Sequence, residues 1–274
     1  MKKIIVPTLA LGLLSLNAFA SEEHFQSHEE EQGKQEEKIE KEDFLEISVD
    51  YWVAYPSGNL HETGNKIAKK GTLNLEKAKD IGFKAILEGD GSYIPNFIFT
   101  YTPIEFEGEG KASNTFKVKD LTVDPGKEFE SKEEVINYDL GLLWDIGHLK
   151  EKTEDRLDFR AGFSLRYIDY KLEVESEGNT GEIKDTKFIP MLDLEAEVEA
   201  LPVNQSLTAE IILELQAYIW DGKYSYDFID AIRLNYKKAF MELGYRVFKS
   251  KLEVEGDITK VDAKGGFASL GWMF

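Results

Sequence analysis

Gly265-Gly266-Phe267-Ala268-Ser269-Leu270-Gly271-Trp272-Met273-Phe274 is the stretch that decides the fold. Apolar or small side chains take alternate positions, Ala268, Leu270, Trp272 and Phe274, and the series ends on an aromatic ring. A period of two marks a β-strand, whose successive side chains point to opposite faces. A face of Ala, Leu, Trp and Phe with no charge in it suits a barrel wall turned to lipid, with aromatic rings at the interface. The expected fold class is therefore all-β: a transmembrane, antiparallel, up-and-down β-barrel.

The other end of the chain agrees. Lys2 and Lys3 precede an apolar run from Ile4 to Leu16, and Ala18-Phe19-Ala20 forms a small-x-small cleavage site. Residues 1–20 read as a cleavable signal peptide. Their apolar run is too short to span a bilayer, and no later segment has the roughly 18 consecutive apolar residues of a transmembrane helix. Cysteine is absent, so no disulfide framework or thiol chemistry is expected. Loss of Lys2 and Lys3 takes the formal net charge from −19 to −21, the wrong sign for a nucleic-acid partner. Residues 21–43 are dominated by Glu, Gln and Lys without apolar periodicity, which reads as a solvated polar segment. His24 and His28 share a face if that segment is helical, but two histidines among carboxylates make a poor metal site. No metal or other cofactor is expected.

From Phe44 onward the period is two. Leu45, Ile47, Val49, Tyr51, Val53 and Tyr55 alternate with Glu46, Ser48, Asp50, Trp52 and Ala54. Strands follow over Ile81–Glu88, Asn96–Glu107 (with Pro103 as an interruption), Val135–Ile146, Leu157–Tyr167 with an irregular extension, and Phe188–Ala200. Leu207–Trp220, Tyr224–Tyr236, Ala239–Val254 and Val261–Phe274 complete the set. Phe188–Ala200 is rich in helix formers, but its strict alternation overrules propensity. The expected wall has about ten strands, with about eight as the alternative, and residues 44–274 as the barrel.

With the N-terminus on the periplasmic side, the first connection (Pro56–Asp80) and the third (Gly108–Glu134) are long outer loops. The even connections are mostly tight, as at Lys237-Lys238, which is the usual asymmetry of such barrels. Trp144, Tyr236, Trp272 and Phe274 fall at inner strand ends, and Tyr55, Tyr167, Tyr224 and Tyr226 at outer ends, giving two aromatic girdles. Asp230 fits badly, because it shares parity with the lipid-facing Phe228 and Ile232. A bulge shifting the register, or a place near the outer interface, is expected there.

Opposite parity lines the lumen. It places acids at Glu46, Asp50, Glu88, Asp139, Asp158, Asp193, Glu195, Glu197, Glu199, Glu210, Glu214, Asp227 and Glu242, against Lys84, Arg160, Arg166, Arg233 and Arg246. Ten strands leave a lumen that side chains can largely fill. The expected interior is a salt-bridged plug, or a narrow path whose surplus acid favours cations.

Several segments resemble a family of small Gram-negative outer-membrane β-barrel proteins. Tyr51-Trp52-Val53-Ala54-Tyr55-Pro56-Ser57-Gly58 resembles that family's Tyr-Trp-x-Ala-x-Pro-Ser-Gly opening. Ile94-Pro95-Asn96 with the strand through Tyr101-Thr102 is similar to its Leu-Pro-Asn segment, although Phe99 stands where the family has a longer or charged residue. Ile189-Pro190-Met191-Leu192, Tyr226-Asp227-Phe228 and Leu243-Gly244-Tyr245-Arg246 resemble further segments. The resemblance implies fold and residence in the bacterial outer membrane, but no activity and no site residues. A C-terminal Phe274 behind Trp272 also resembles the assembly signal read by the barrel-insertion machinery. Outer-membrane lipid and that machinery are the expected partners, and a monomer the expected state.

An outer-membrane protease or acyl hydrolase needs a histidine fixed at the outer rim beside its partner groups. Of His24, His28, His61 and His148, only His61 falls outside by this topology, in a loop with no strand to orient it. No enzyme is expected. A soluble periplasmic barrel binding a ligand is the alternative, against which the terminal aromatic, the girdles and the polar opposite face all count.

Overall fold

Each periodic segment forms a strand, and several strands run well past the stretch whose pattern announced them. The computed structural model describes residues 44–62, 65–69, 71–89, 93–146, 153, 156–204, 207–254 and 257–274. The signal segment, residues 21–43, His148, most of the connection after Ile146 and the His61 side chain lie outside what is described. The wall strands are β1 (Leu45–Glu62), β3 (Ala78–Leu87), β4 (Asn96–Lys111), β7 (Glu128–Asp145), β8 (Leu157–Ser176), β9 (Asn179–Asn204), β10 (Leu207–Trp220), β11 (Lys223–Tyr236), β12 (Ala239–Val254) and β13 (Asp257–Met273). Each pairs antiparallel with its neighbours in sequence order, and β13 returns to β1 in the register Ile47↔Trp272 and Tyr51↔Ala268, closing ten strands. Closure removes the open edges that an isolated sheet would expose. Both ends of the wall meet at one mouth, where Phe44 N donates to Phe274 O at 3.0 Å and Phe274 N to Leu45 O at 2.9 Å.

The outer face carries the apolar set as expected. Val49, Ile81, Phe97, Leu140, Phe163, Leu192, Leu213, Leu243 and Leu270 are all exposed. On four adjacent strands Tyr101, Tyr138, Tyr167 and Phe188 stand side by side, with successive ring centroids 5.2, 6.1 and 5.0 Å apart. Tyr224 and Tyr226 continue the same rim. Tyr236, Trp272 and Phe274 are exposed at the opposite end.

Five expectations need correction. Pro56–Asp80 is not a plain loop: β1 runs on to Glu62, paired with β13 and with β2 (Asn65–Ala68), so His61 stands on a strand opposite Ile258 and Lys66, and β3 already starts at Ala78. Gly108–Glu134 is not a loop: β4 runs on to Lys111, β7 starts at Glu128, and a hairpin of β5 (Phe116–Val118) and β6 (Leu121–Val123) lies between them. Pro103 does not interrupt β4, because it pairs with Ile136 in an unbroken register; its ring removes one donor without ending the strand. The extension after Tyr167 is regular strand to Ser176, paired throughout with β9. Asp230 has no bulge to rescue it: Leu213↔Asp230↔Tyr245 is in continuous register and the residue is exposed on the outer face. In addition, Glu88 lies just past the end of β3 and is exposed rather than facing the lumen.

Above the Tyr138–Tyr167 row the two faces exchange character. On β8 the outward residues become Asp169, Lys171, Glu173 and Glu175, while Ile168, Tyr170, Leu172 and Val174 turn inward and are buried. On β4 the outward residues become Glu105, Glu107 and Glu109, while Ile104 and Phe106 are buried inside. The strand period is unchanged; only the polarity of each parity class flips.

Candidate functional site

The interior has two storeys. In the lower one, within the apolar belt, cations from one wall reach acids on another. Arg233 on β11 spans to Glu46 on β1, with Nη1 and Nη2 donating to its two oxygens at 3.0 and 2.9 Å, and Nε donates to Glu242 at 2.7 Å. Its guanidinium also lies 4.4 Å from the Phe240 ring centroid. Lys84 on β3 crosses to Glu214 on β10 at 2.7 Å. Arg160 collects Asp158, Glu195 at 2.5 Å and Glu197 at 3.5 Å toward the end of the barrel that holds Trp272 and Phe274.

The middle layer is the most enclosed. Arg166 is fully buried and donates through Nε and Nη2 to both oxygens of Asp139, at 2.7 and 2.9 Å. The same Nη2 reaches Gln216 at 2.6 Å and Asp227 at 3.4 Å. Arg246 donates to Asp227 at 2.9 and 2.6 Å and to Thr102 across the lumen at 3.2 Å, and lies over Trp52. Ser164 Oγ donates to Asp193 at 3.0 Å. Bidentate guanidinium–carboxylate geometry fixes orientation as well as energy. Arg166 with Asp139, Arg246 with Asp227 and Ser164 with Asp193 join neighbouring strands, whereas Arg166 with Gln216 and Asp227, and Arg246 with Thr102, join strands that are not neighbours and so tie opposite walls together.

Of the lumen residues read from sequence, Arg160 bonds Glu195 and Glu197, Arg233 bonds Glu242, Lys84 holds Glu214, and Arg166, Arg246 and Asp193 share a further group through Asp227, Gln216 and Ser164. Asp50 lines a small, partly open cavity of about 50 Å³ with Lys84, Thr100, Glu214 and Glu242. That volume suits a few waters and no solute of useful size. Glu210 faces Glu199 across the β9–β10 pair, next to a register irregularity at Ala209. Trp272 and Phe274 are on the outer face at the mouth where β1 and β13 meet, so they belong to the aromatic rim rather than to the interior.

The upper storey was missed by sequence reasoning. Here Ile104, Phe106, Phe129, Val135, Leu172, Val174 and Ile183 form an apolar core inside the barrel. Two inserts complete it. Ile67, Leu73 and Leu75 come from β2 (Asn65–Ala68) and the chain after it, and Phe116, Val118, Leu121 and Val123 from the β5–β6 hairpin. Close approach is built in. A Cβ on Gly108 would lie 2.5 Å from Leu73 O, and one on Gly181 would lie 2.4 Å from Val118 O. Ser131 Oγ donates to Leu73 O at 2.6 Å, and Glu76 N donates to Glu107 O at 2.8 Å, which straps the first insert to the wall.

One ion pair sits inside this apolar cap. Lys69 Nζ bonds Glu133, both side chains are fully buried, and Lys69 lies 5.6 Å from the Tyr170 ring centroid. Burial pulls the Lys69 ammonium below its ordinary range, opposed by the Glu133 carboxylate. Burial and Glu133 together push the Tyr170 phenol well above its ordinary value. The available signal was the adjacent apolar pair at each parity switch: Pro103-Ile104, Val135-Ile136 and Tyr167-Ile168.

No protein-family model and no curated protein matches the sequence. Among solved structures, the attachment invasion locus protein Ail of Yersinia pestis, crystallised with the heparin analogue sucrose octasulfate, is similar at 10% identity and a TM-score of 0.36, covering 84% of this chain and 99% of that one. The translocator domain of autotransporter NalP from Neisseria meningitidis is similar at 10% identity and a TM-score of 0.42, covering 86% and 90%. The toluene transporter TodX of P. putida is similar at 8% identity and a TM-score of 0.33, covering 85% and 90%. All three are barrels of bacterial envelopes, and at such distances the likeness is one of architecture alone.

Proposed function

We propose that this chain is a bacterial outer-membrane β-barrel with a structural role, sealed against solute flow in its resting state. The observation that carries the reading is the double closure of the interior: a cross-wall ion-pair layer around Arg166, Arg246 and Arg233, capped by an apolar core that includes the two inserts. Membrane placement is supported by the outer belt between aromatic rims, apolar but for Asp230, since only a closed barrel satisfies every strand hydrogen bond in lipid. The shared mouth of β1 and β13 is then the periplasmic one, and the rim of Tyr138 and Tyr167 the outer one. Outer-membrane lipid is the surrounding partner. Strand β13, carrying Trp272 and Phe274 outward, is the edge that the insertion machinery engages before it pairs with β1.

A catalytic role has no support in this arrangement. Asp139, Asp227 and Glu46 are engaged by guanidinium groups, and His61, the histidine that topology puts on the far side from the chain ends, stands on β1 between Ile258 and Lys66 in register with no acid opposite it. If a minor open state exists, the surplus of acids along the lumen favours cations, as rings of Asp and Glu do in cation channels. The test is a planar bilayer. Purified folded protein is expected to be silent, or to open rarely with a small, cation-selective conductance. A steady, large or anion-selective current refutes the sealed-barrel reading.

A further inference from the structure

The wall around the apolar cap has one low place. β10 stops at Trp220 and β11 starts at Lys223, joined by a two-residue turn in which Asp221 and Gly222 both have positive φ. The flanking strands stand higher, β9 running out to Asn179 and β12 to Val254. Pairing of β9 with β10 ends at Leu192↔Ala217. Two residues on, the same register sets Ile219 against Pro190, which has no N–H to give. A cleft of about 400 Å³ opens over this dip, with Lys187, Phe188, Tyr218, Lys223, Leu252 and Glu253 in its lining. Among the described residues, neither insert reaches it. Its charges are balanced, Lys187 pairing with Asp185 at 2.8 Å and Lys223 with Glu253 at 2.7 Å.

Beneath the cleft the interior is polar. Tyr218, Ser225 and Ser250 form one row across β10, β11 and β12. Both serines are fully buried, and neither hydroxyl has a partner among the described residues. Directly opposite residues hold their Cβ atoms about 5 Å apart, a spacing that one water spans with two hydrogen bonds. A dry apolar core gives such hydroxyls nothing in return for their lost hydration. The next row down holds Gln216 and Asp227, which engage Arg166 and Arg246. From Lys223 on the cleft floor to Asp227 is about 13 Å along the strand, with the serine row midway. Elsewhere the rows above the ion pairs are apolar, as with Ile104 and Phe106 on β4 or Ile168 and Leu172 on β8. We propose that this cleft is the outer entrance for small hydrated cations, closed by Tyr218 and Leu252, with Ser225 and Ser250 as the first polar step toward Asp227. Beyond that step Asp139, Asp193 and Asp227 outnumber Arg166 and Arg246, which suits a cation rather than an anion.

The inference supplies the route of the minor open state in the reading above and rests on that reading, so labelling and conductance are measured separately. The chain lacks cysteine, so Ser225→Cys is a clean reporter. Its reaction in intact cells with a small trimethylammonium methanethiosulfonate is expected to be slow. Tyr218→Ala should speed that reaction about tenfold by raising the open population. Leu252→Ala, on the other side of the cleft floor, should do the same and carries the test where Tyr218→Ala fails to fold. Val135→Cys, in the apolar cap on β7, should gain nothing from either change. In a planar bilayer, the Tyr218→Ala, Ser225→Cys protein should pass a small cation current that the reagent reduces about tenfold. Heat-dependent gel mobility confirms that each variant is folded. An unchanged rate at Ser225→Cys, an equal gain at Val135→Cys, or a current untouched by complete modification overturns the entrance. A large, steady current through the unaltered protein overturns the sealed barrel instead, and the labelling rates still decide the entrance.

Discussion

The lower and upper halves of this barrel use the same strands with opposite polarity. Below the row of Tyr101, Tyr138, Tyr167 and Phe188, leucine and phenylalanine point out, and arginine, aspartate and glutamate point in. Above that row, Glu105, Glu107, Lys132, Lys171 and Glu173 point out, while Phe106, Val135, Leu172 and Ile183 fill the interior. Strand geometry is indifferent to the exchange, because the period of two is a backbone property. The surroundings decide it. Where lipid is outside, the only place for polar side chains is the lumen; where water is outside, the hydrophobic effect packs the lumen instead. A single strand such as β8 thus obeys membrane rules for its first half and globular rules for its second.

The largest break of this comparison should come from Arg166. Arg166→Ala strands Asp139 in an enclosed space and leaves Asp227 to Arg246 alone, and removing one partner of a buried pair typically costs about 3–5 kcal/mol. The folded, heat-resistant gel species should melt at a clearly lower temperature; an unchanged transition would mean the lumen is wet enough to compensate. In the upper half the corresponding break is a cavity. Phe106→Ala should cost about 3–5 kcal/mol by lost burial and incomplete collapse. It should also expose the segment of Leu73 and Leu75 to added protease, and protection equal to wild type would show that this insert is not held by the apolar core.

The pair Lys69–Glu133 separates the two kinds of interior. Either single change, Lys69→Met or Glu133→Leu, leaves a lone buried charge and should destabilise by about 3 kcal/mol, whereas the double change should return close to wild type. Additive losses in that cycle, measured by denaturant titration, would mean the site behaves like the polar storey below. The smallest effect belongs to the outer face of the upper half. Lys132 bridges Glu105 and Glu134 at 3.0 and 2.8 Å while largely solvated, so Lys132→Ala should change stability by at most about 1 kcal/mol.

The membrane half was legible in the sequence because outward apolar and inward polar residues give the strongest alternation a strand can show. Leu207–Trp220 and Ala239–Val254 begin and end where the alternation does. The upper half carries the same period, but its phase switches at Pro103-Ile104, Val135-Ile136 and Tyr167-Ile168. Two adjacent apolar residues break the expected alternation, so the pattern alone reads as strand giving way to loop. The lumen residues followed from parity alone, since parity survives from one end of a strand to the other. Their pairing did not, because Arg233 with Glu46 or Arg246 with Thr102 joins strands that are remote in sequence. The apolar cap was hidden for a related reason: its inserts lie in connections, and their short apolar runs gain meaning only once the wall around them is known.

The central claim, a polarity exchange with a packed interior above it, is tested most directly by single-cysteine scanning along β8 from Phe163 to Glu175 in intact outer membrane. A water-soluble maleimide should label positions 169, 171, 173 and 175, and a lipid-borne quencher should reach a fluorophore only at 163, 165 and 167. Positions 168, 170, 172 and 174 should resist both. Free labelling of the even positions above Tyr167 would mean an open mouth, and lipid quenching at 171 or 173 would mean that no exchange of faces occurs there.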